Sequence, residues 1–325
     1  MKPRILVTQR IADEALDLLR QAGDLYFCPD PDHPPSRAEL LAAAKDADAL
    51  FCVLTDPIDE EVMQAGPRLI VIANMAVGYN NIDVEAATAR RIPVTNTPGV
   101  LTETTADLAW ALLMAVARRI VEADRFVRTG QFKTWQPMML LGADVYGKTL
   151  GIVGMGRIGM AVARRARGFA MSVVYHNRRR VGPNTEAELG ARCVPLEKLL
   201  RTSDFVTIHA PYTPETHHII GAKELDIMKP TAFLINTSRG PLVDEVALVE
   251  ALKGGKLAGA GLDVYEREPA LTPGLSELEN VVLTPHIGSA SRETRTRMAV
   301  MAAENVVAAL RGKRPPNLVN PEVYP

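Results

Sequence analysis

The chain is 325 residues long and 47% hydrophobic, with 37 Lys plus Arg against 38 Asp plus Glu and a net charge of −1. That length favours two domains with sizeable cores, and nothing in the even charge balance suggests a nucleic-acid or polyanion surface. Cys28, Cys52 and Cys193 lack metal-ligand or Cys-x-x-Cys spacing and read as the buried free thiols of a reducing cytosol.

Met1-Lys2-Pro3-Arg4 leads straight into a strand at 4–8 without the apolar core of a signal peptide. A helix over 12–21 follows, with Ala15, Leu16 and Leu19 on its apolar face. Strands at 25–28 and 49–54 flank a helix over 37–45. The run at 69–74 is almost continuously apolar, as in parallel strands covered on both faces. A helix over 84–90 and a strand at 93–96 complete a unit. Strand–helix alternation with short connections predicts an open parallel α/β sheet, flavodoxin-like over the first hundred residues.

Pro98-Gly99 punctuates the chain, and Thr102 or Thr104 can cap a long helix over 105–128. Its stripe of Leu108, Ala109, Leu112, Leu113, Val116, Ile120 and Val121 suits a buried or dimer-contacting helix. Residues 130–146 show little periodicity but hold Phe132, Trp135, Met138, Met139, Leu140 and Leu141. Such a loop needs something to pack on: a partner subunit, the ligand cleft or its own domain. Further strands are expected at 149–153, 172–175, 205–209, 232–236, 258–262 and 281–283. Helices are expected over 160–169, 196–201, 223–228 and 246–253. No apolar run approaches the ~20 residues of a membrane span, so a soluble cytoplasmic protein with no membrane partner is expected. A last helix over 291–311 returns to the first domain, before an extended Pro-rich tail. The expected fold is two doubly wound parallel-sheet domains, a flavodoxin-like substrate domain (1–100 plus 289–325) and a Rossmann dinucleotide-binding domain (101–288).

The stretch from 148 to 180 is the most informative. A short apolar strand ends in Gly154-Met155-Gly156-Arg157-Ile158-Gly159, a helix opens, and a second strand follows. Gly154 allows the tight turn, Gly156 lets backbone approach a pyrophosphate, and Gly159 lets helix and strand pack closely. The helix start offers N–H groups and its positive dipole end to phosphates. Sites for NAD usually carry an acid about 20 residues on, to accept from the ribose 2′-hydroxyl. Here that place reads His176-Asn177-Arg178-Arg179-Arg180, without a carboxylate. Arginine can grip a 2′-phosphate through a charge-assisted fork. Such a run can also be a solvated basic loop, but its position after this fingerprint favours NADPH, with NADH possible as the alternative.

In open α/β sheets ligands bind beyond the carboxyl ends of the strands. Four polar segments stand there: 209–211, 236–240, 263–269 and 284–289. They bring an arginine (Arg239), a carboxylate (Glu268) and a histidine (His286), the set needed to reduce a ketoacid. Arginine clamps a substrate carboxylate and polarises the carbonyl, histidine gives the proton, and the carboxylate orients the imidazole and favours its charged form. Singly, His286 could donate to a carbonyl, Glu268 could sit in a solvated turn beside Glu266 and Arg267, and Arg239 could cap a turn. His217-His218 lacks a second ligand pair of matching spacing and reads as a solvated turn; no metal is expected.

From residue 4 to about 316 the sequence resembles the D-isomer-specific 2-hydroxyacid dehydrogenases. The resemblance is carried by Ala76-Val77-Gly78-Tyr79-Asn80-Asn81-Ile82-Asp83, Gly154 to Gly159, His209-Ala210-Pro211-Tyr212-Thr213-Pro214-Glu215-Thr216, and Asn236 to Gly240. Asp263 to Pro269 and Pro285-His286-Ile287-Gly288 extend it. Within that family it is most similar to glyoxylate/hydroxypyruvate reductases, through the Ala-Val-Gly-Tyr-Asn stretch and the basic loop at 177–180. The resemblance implies Arg239 as substrate clamp, His286 as proton donor, Glu268 as its partner, and the N–H groups of Val77 and Gly78 on the substrate carboxylate. It implies cofactor contacts from Thr105, Gly154, Met155, Gly156, Arg157, Ile158, Gly159, Asn177, Arg178 and Arg179. It implies others from His209, Pro211, Thr216, Thr237, Ser238, Gly288, and Asp263 at the nicotinamide carboxamide. Some relatives insert a tryptophan from the partner subunit through the loop near 135–141. Trp135 is present here, but Met138-Met139 stand where a second aromatic is expected. Formate-specific relatives lack a glutamate at the position of Glu268.

The expected function is therefore NADPH-preferring reduction of glyoxylate or hydroxypyruvate to the D-hydroxy acid by a homodimer, in a cleft between two hinged domains. Another 2-oxoacid, or phosphite, is the nearest alternative, although the 75–78 loop lacks a cationic residue for phosphite. A non-enzymatic, dinucleotide-sensing corepressor on the same fold is the alternative from another class.

Overall fold

Short apolar runs become parallel strands here because helices cover them on both faces. In the computed structural model, which describes residues 2–324, Arg4–Val7 (β1), Asp24–Phe27 (β2), Ala49–Cys52 (β3), Val71–Asn74 (β4) and Val94–Thr95 (β5) form one all-parallel sheet. Its order, β2-β1-β3-β4-β5, is the flavodoxin-like one. Asp13–Ala22 (α1), Arg37–Ala44 (α2), Glu60–Ala65 (α3) and Val84–Ala89 (α4) make the crossovers. The helix at α3 is absent from the sequence reading because its acidic residues hide the period. It forms because Asp59 caps it while Val62 and Met63 reach the core. These residues up to Leu101, with those from Ser289 onward, make one compact unit, and Thr102–Gly288 makes the other.

The second unit opens with Thr102–Ala117 (α5) and Ile120–Arg128 (α6). The single long helix expected over 105–128 is thus broken. Arg119 sits in the left-handed region at φ 54°, its guanidinium held by Glu122 at 2.7 Å and by the Leu141 carbonyl at 3.3 Å. The returning chain supplies the cause. Ala143 N–H donates to the Ala117 carbonyl at 2.8 Å, occupying the end of α5. The loop beyond α6 divides: Val145 and Ala143 pack on the core of this unit, while Trp135 is 73% and Met138 77% exposed.

Thr149–Val153 (β6), Ser172–His176 (β7), Ala191–Cys193 (β8), Phe205–Ile208 (β9), Phe233–Asn236 (β10), Gly259–Leu262 (β11) and Val281–Leu283 (β12) form a second parallel sheet. Its order, β12-β11-β10-β9-β6-β7-β8, is doubly wound, with the topological switch between β6 and β9. Arg157–Ala166 (α7), Pro183–Leu189 (α8), Leu196–Thr202 (α9), Ala222–Asp226 (α10) and Glu245–Lys253 (α11) connect the strands. Neither α8 nor β8 shows in the sequence, because seven and three residues are too short for a period. Both depend on Gly190 in the left-handed region between them.

Arg292–Leu310 (α12) belongs to the first unit, where Met298, Ala299, Ala302 and Val306 pack with Ile5, Phe51 and Val71. The tail after it is stitched down rather than merely extended. Leu318 pairs antiparallel with Thr95, and Val319 N–H donates to the Val94 carbonyl at 2.8 Å. Asn320 is 1% exposed; its Oδ1 accepts from Val94 N–H at 2.8 Å, and its Nδ2 donates to the Ile92 carbonyl and to Thr88 Oγ1, each at 3.0 Å. Truncating it leaves buried polar groups unmatched. Asn320→Ala is expected to cost about 2–4 kcal/mol, read as a lower urea midpoint with unchanged m value; a loss under about 1 kcal/mol would show that the tail is not held there.

Candidate active site

Parallel strands deliver their following residues to one rim, and three of these rim segments are built by local side-chain-to-backbone bonds. After β10, the Asn236 carboxamide accepts from Ser238 N–H at 3.0 Å and donates to the Arg239 carbonyl at 2.9 Å, forcing a sharp turn. Arg239 then leaves the strand end with Nη1 on the Ser238 carbonyl at 2.8 Å. Gly240 lies against the main chain of Tyr265, where a Cβ would come within 1.9 Å of the carbonyl. The 236–240 turn and the 263–268 loop therefore touch with no space for a side chain between them.

After β11 comes Asp263, fully buried. Its carboxylate accepts from Thr284 Oγ1 at 2.6 Å, Ile287 N–H at 2.8 Å and Gly288 N–H at 2.7 Å. Burial pushes this carboxyl up, and those hydrogen bonds only partly offset it. These contacts fold the chain after β12 into a tight turn in which His286 adopts φ 54°. The imidazole so presented has Nδ1 2.8 Å from Glu268 Oε2, and Glu268 Oε1 accepts from Tyr265 N–H at 3.0 Å. Burial raises the Glu268 carboxyl, but the His286 bond and charge, the Tyr265 N–H and the Arg239 charge together outweigh it, so its titration ends below the ordinary range. Burial lowers the Arg239 guanidinium, while the nearby Glu268 charge raises it. Arg239, Glu268 and His286 are thereby brought to one place. Asp263, expected at a nicotinamide carboxamide, spends both oxygens on shaping the His286 turn.

The Gly-rich turn has no room for side chains at two of its glycines. Gly154 has φ 98° and lies against the His209–Ala210 backbone, where a Cβ would be 2.5 Å from Ala210 N; a Cβ on Gly159 would be 2.2 Å from the Gly154 carbonyl. Gly156 opens into free space, and α7 begins there without a side-chain cap, leaving the first-turn N–H groups of Arg157 and Ile158 for a phosphate. Met155 differs from expectation. Its side chain is in the core and its N–H donates to Asn177 Oδ1 at 2.6 Å, so Asn177 braces the turn. Thr105 and Gly288 lie beside Asp263, and the buried Thr237 hydroxyl has no hydrogen-bond partner among the described residues. Ser238 Oγ donates to the Ala210 carbonyl at 2.5 Å, and Thr216 Oγ1 closes its own turn onto the exposed Pro211 at 2.9 Å. Burial pushes the His209 imidazole down to about 3. Its Nε2 meets Thr207 Oγ1 at 2.9 Å, while its buried Nδ1 has no hydrogen-bond partner among the described residues.

The basic run after β7 divides. Arg180 binds Glu186 at 2.8 and 2.5 Å, the Tyr175 hydroxyl donates to the same carboxylate at 2.6 Å, and Arg180 holds that carboxyl down to about 2. Arg180 is therefore a strut to α8. Arg178 and Arg179 are exposed and enter no salt bridge among the described residues. In the first unit, the carbonyls of Ala76, Val77 and Gly78 are each held, by Thr97 N–H at 2.8 Å, Asn96 Nδ2 at 2.8 Å and Asn74 Nδ2 at 3.0 Å. Because a trans peptide sets its N–H opposite its C=O, the N–H groups of Val77, Gly78 and Tyr79 point the other way. These asparagine braces carried no sequence signal.

His218 also escaped the sequence reading. It is no solvated turn, for Nε2 lies 2.9 Å from Glu266 Oε1 and the ring stacks on His217. Among the described residues no group of three potential metal ligands gathers, and no helix is long and apolar enough to cross a membrane.

Comparison with known proteins matches residues 110–288 to the family model described as D-isomer specific 2-hydroxyacid dehydrogenase, NAD binding domain. A glyoxylate reductase of Korarchaeum cryptofilum is 59% identical over 326 residues, covering 99% of this chain and 97% of that protein. A solved structure from Thermus thermophilus is 51% identical with a TM-score of 0.91, covering 97% of this chain and 99% of the other. The NADPH-dependent glyoxylate/hydroxypyruvate reductase of Sinorhizobium meliloti, in complex with NADP and malonate, is 35% identical with a TM-score of 0.84, over 98% and 97% of the two chains. With the doubly wound fold and the rim set of arginine, glutamate and histidine already in place, these matches lead to one conclusion: the chain belongs to the D-isomer specific 2-hydroxyacid dehydrogenase family, enzymes that work with a nicotinamide dinucleotide.

Proposed function

We propose that this enzyme reduces glyoxylate, and hydroxypyruvate, to the corresponding 2-hydroxy acids (glycolate and D-glycerate), and that it prefers NADPH. The observation that carries the reading is the 2.8 Å contact of His286 with Glu268 beside Arg239. The names of the Korarchaeum and Sinorhizobium relatives support the substrate.

The reduced nicotinamide, when bound, supplies a hydride to the carbonyl carbon. The residues divide the remaining work. Arg239 stays charged despite its burial, because guanidinium titrates so high, and its fork holds the substrate carboxylate and polarises the carbonyl. His286 has Nδ1 engaged by Glu268, which leaves Nε2 to protonate the forming alkoxide. Glu268 fixes the ring in the orientation that presents Nε2. The outward N–H groups of Val77 and Gly78 are assigned to substrate binding.

The dinucleotide is assigned to Gly154, Gly156, Gly159 and the N–H groups of Arg157 and Ile158, with Met155 and Asn177 bracing that turn. Thr105, His209, Pro211, Thr216, Thr237, Ser238, Asp263 and Gly288 line the remainder. Arg178 and Arg179 are assigned to the 2′-phosphate, supported by their freedom from salt bridges and the lack of an acid at the end of β7. A homodimer is proposed from the apolar surface of α6 and the following loop, where Ile120, Val127, Phe132, Trp135 and Met138 are all exposed.

Three outcomes test this. Arg178→Ala with Arg179→Ala should raise KM for NADPH far more than for NADH; equal effects would remove the cofactor assignment. His286→Ala should cut kcat by at least ~100-fold, and near-normal turnover would point to another proton donor. Glu268 titrates below the ordinary carboxylate range, so its charge is present throughout the neutral region. Glu268→Gln removes the carboxylate that holds Nδ1 of His286 and should lower kcat about tenfold or more while the NADPH Kd stays within about twofold. An unchanged kcat would separate Glu268 from the proton transfer.

A further inference from the structure

We propose that His218 is a positioning residue for the reducing site, holding the turn that carries Arg239 and the loop that carries Glu268 in register with each other. The inference rests on the catalytic assignment above. The backbone N–H of His218 donates to the Pro241 carbonyl at 2.9 Å, two residues past Arg239, and Ile220 N–H donates to the Leu242 carbonyl at 3.1 Å. The side chain reaches the other way, with Nε2 2.9 Å from Oε1 of Glu266, two residues before Glu268. One residue thus holds one loop by its main chain and the other by its imidazole.

The charges explain why a donor is needed there. Glu266 N–H donates to Glu245 Oε1 at 2.7 Å, Glu245 N–H approaches Glu266 Oε2 at 3.4 Å, and Glu245 Oε2 accepts from the Thr272 hydroxyl at 2.6 Å. Glu245 is 2% exposed. Two carboxylates this close repel unless each is matched by donors. Glu245 is matched by main chain and hydroxyl, and Oε1 of Glu266 is matched by His218. Without the imidazole, Glu266 lowers its energy by turning toward water, and the chain from Tyr265 to Glu268 moves with it. That movement reaches Arg239, because Gly240 and Tyr265 are in direct main-chain contact.

The imidazole is itself held. His218 has φ 50°, a conformation that costs a non-glycine residue energy, and its ring stacks on His217 with centroids 3.8 Å apart. Tyr212 meets His217 edge-on at 6.0 Å.

The test compares His218→Ala, His218→Gln, Glu266→Ala and the His218→Ala/Glu266→Ala double variant with His286→Ala, using the full chain, glyoxylate and NADPH. His218→Ala is expected to lower kcat about tenfold while the NADPH Kd, read by nicotinamide fluorescence, stays within about twofold. His218→Gln can still donate to Glu266 and should return kcat to within about threefold of the parent. The double variant should be no slower than His218→Ala, since both changes break one contact. A kcat within about twofold of the parent in His218→Ala, alongside an inactive His286→Ala, overturns the inference alone. Glutamine no better than alanine also overturns it. Normal turnover in His286→Ala overturns the catalytic assignment and the inference with it. If His218→Ala does not fold, Glu266→Ala decides, with the same expected loss and the same overturning result.

Discussion

The 2.8 Å bond between His286 and Glu268 is the interaction on which the proposed chemistry depends, and neither residue could make it unaided. His286 is aimed by a turn that Asp263 holds through two backbone N–H groups, and Glu268 is aimed by the N–H of Tyr265. Both holders follow β11, so the geometry of one strand end is passed to two side chains that lie 18 residues apart. The precision of an active site comes from such braced backbone rather than from side chains in flexible loops.

Electrostatics at this rim follow burial. Asp263 is raised by desolvation because it is fully enclosed, yet it keeps its role through three donors. Glu268, less enclosed and bonded to an imidazole, goes the other way. Two carboxyls of one short loop thus receive opposite environments and separate duties, one shaping a turn and one facing the imidazole. His209, in the same unit, is driven to the neutral form by burial, so it adds no positive charge there.

Apart from elements too short or too polar to show a period, what the sequence lacked was a bonding partner that only the folded chain supplies. Nothing in residues 105–128 announces a break at Arg119, because the break is made by Leu141 and Ala143 arriving from a later loop. Arg180 looks like its two basic neighbours until Glu186 of α8 claims it. Asn74 and Asn96 read as ordinary strand-end residues, although they turn a run of peptide N–H groups outward. His218 reads as a solvated turn until Glu266, 48 positions on, is beside it.

Local chemistry was enough for the strand–helix alternation, the doubly wound class and the Gly-rich turn. A buried parallel strand needs an apolar run, and a phosphate-binding turn needs glycine where a Cβ collides, as at Gly154 and Gly159. The same logic marked Arg239, Glu268 and His286 as strand-end residues, because strand ends can be read from where apolar runs stop. Tertiary structure alone decided that these three side chains meet, that α5 and α6 are separate, and that Glu186 claims Arg180 while Arg178 and Arg179 enter no salt bridge among the described residues. The meeting of Glu268 with His286 and the break at Arg119 are made by bonds between separate segments, and even the Arg180–Glu186 pair, six residues apart, has no period, spacing or composition by which a linear sequence could display it.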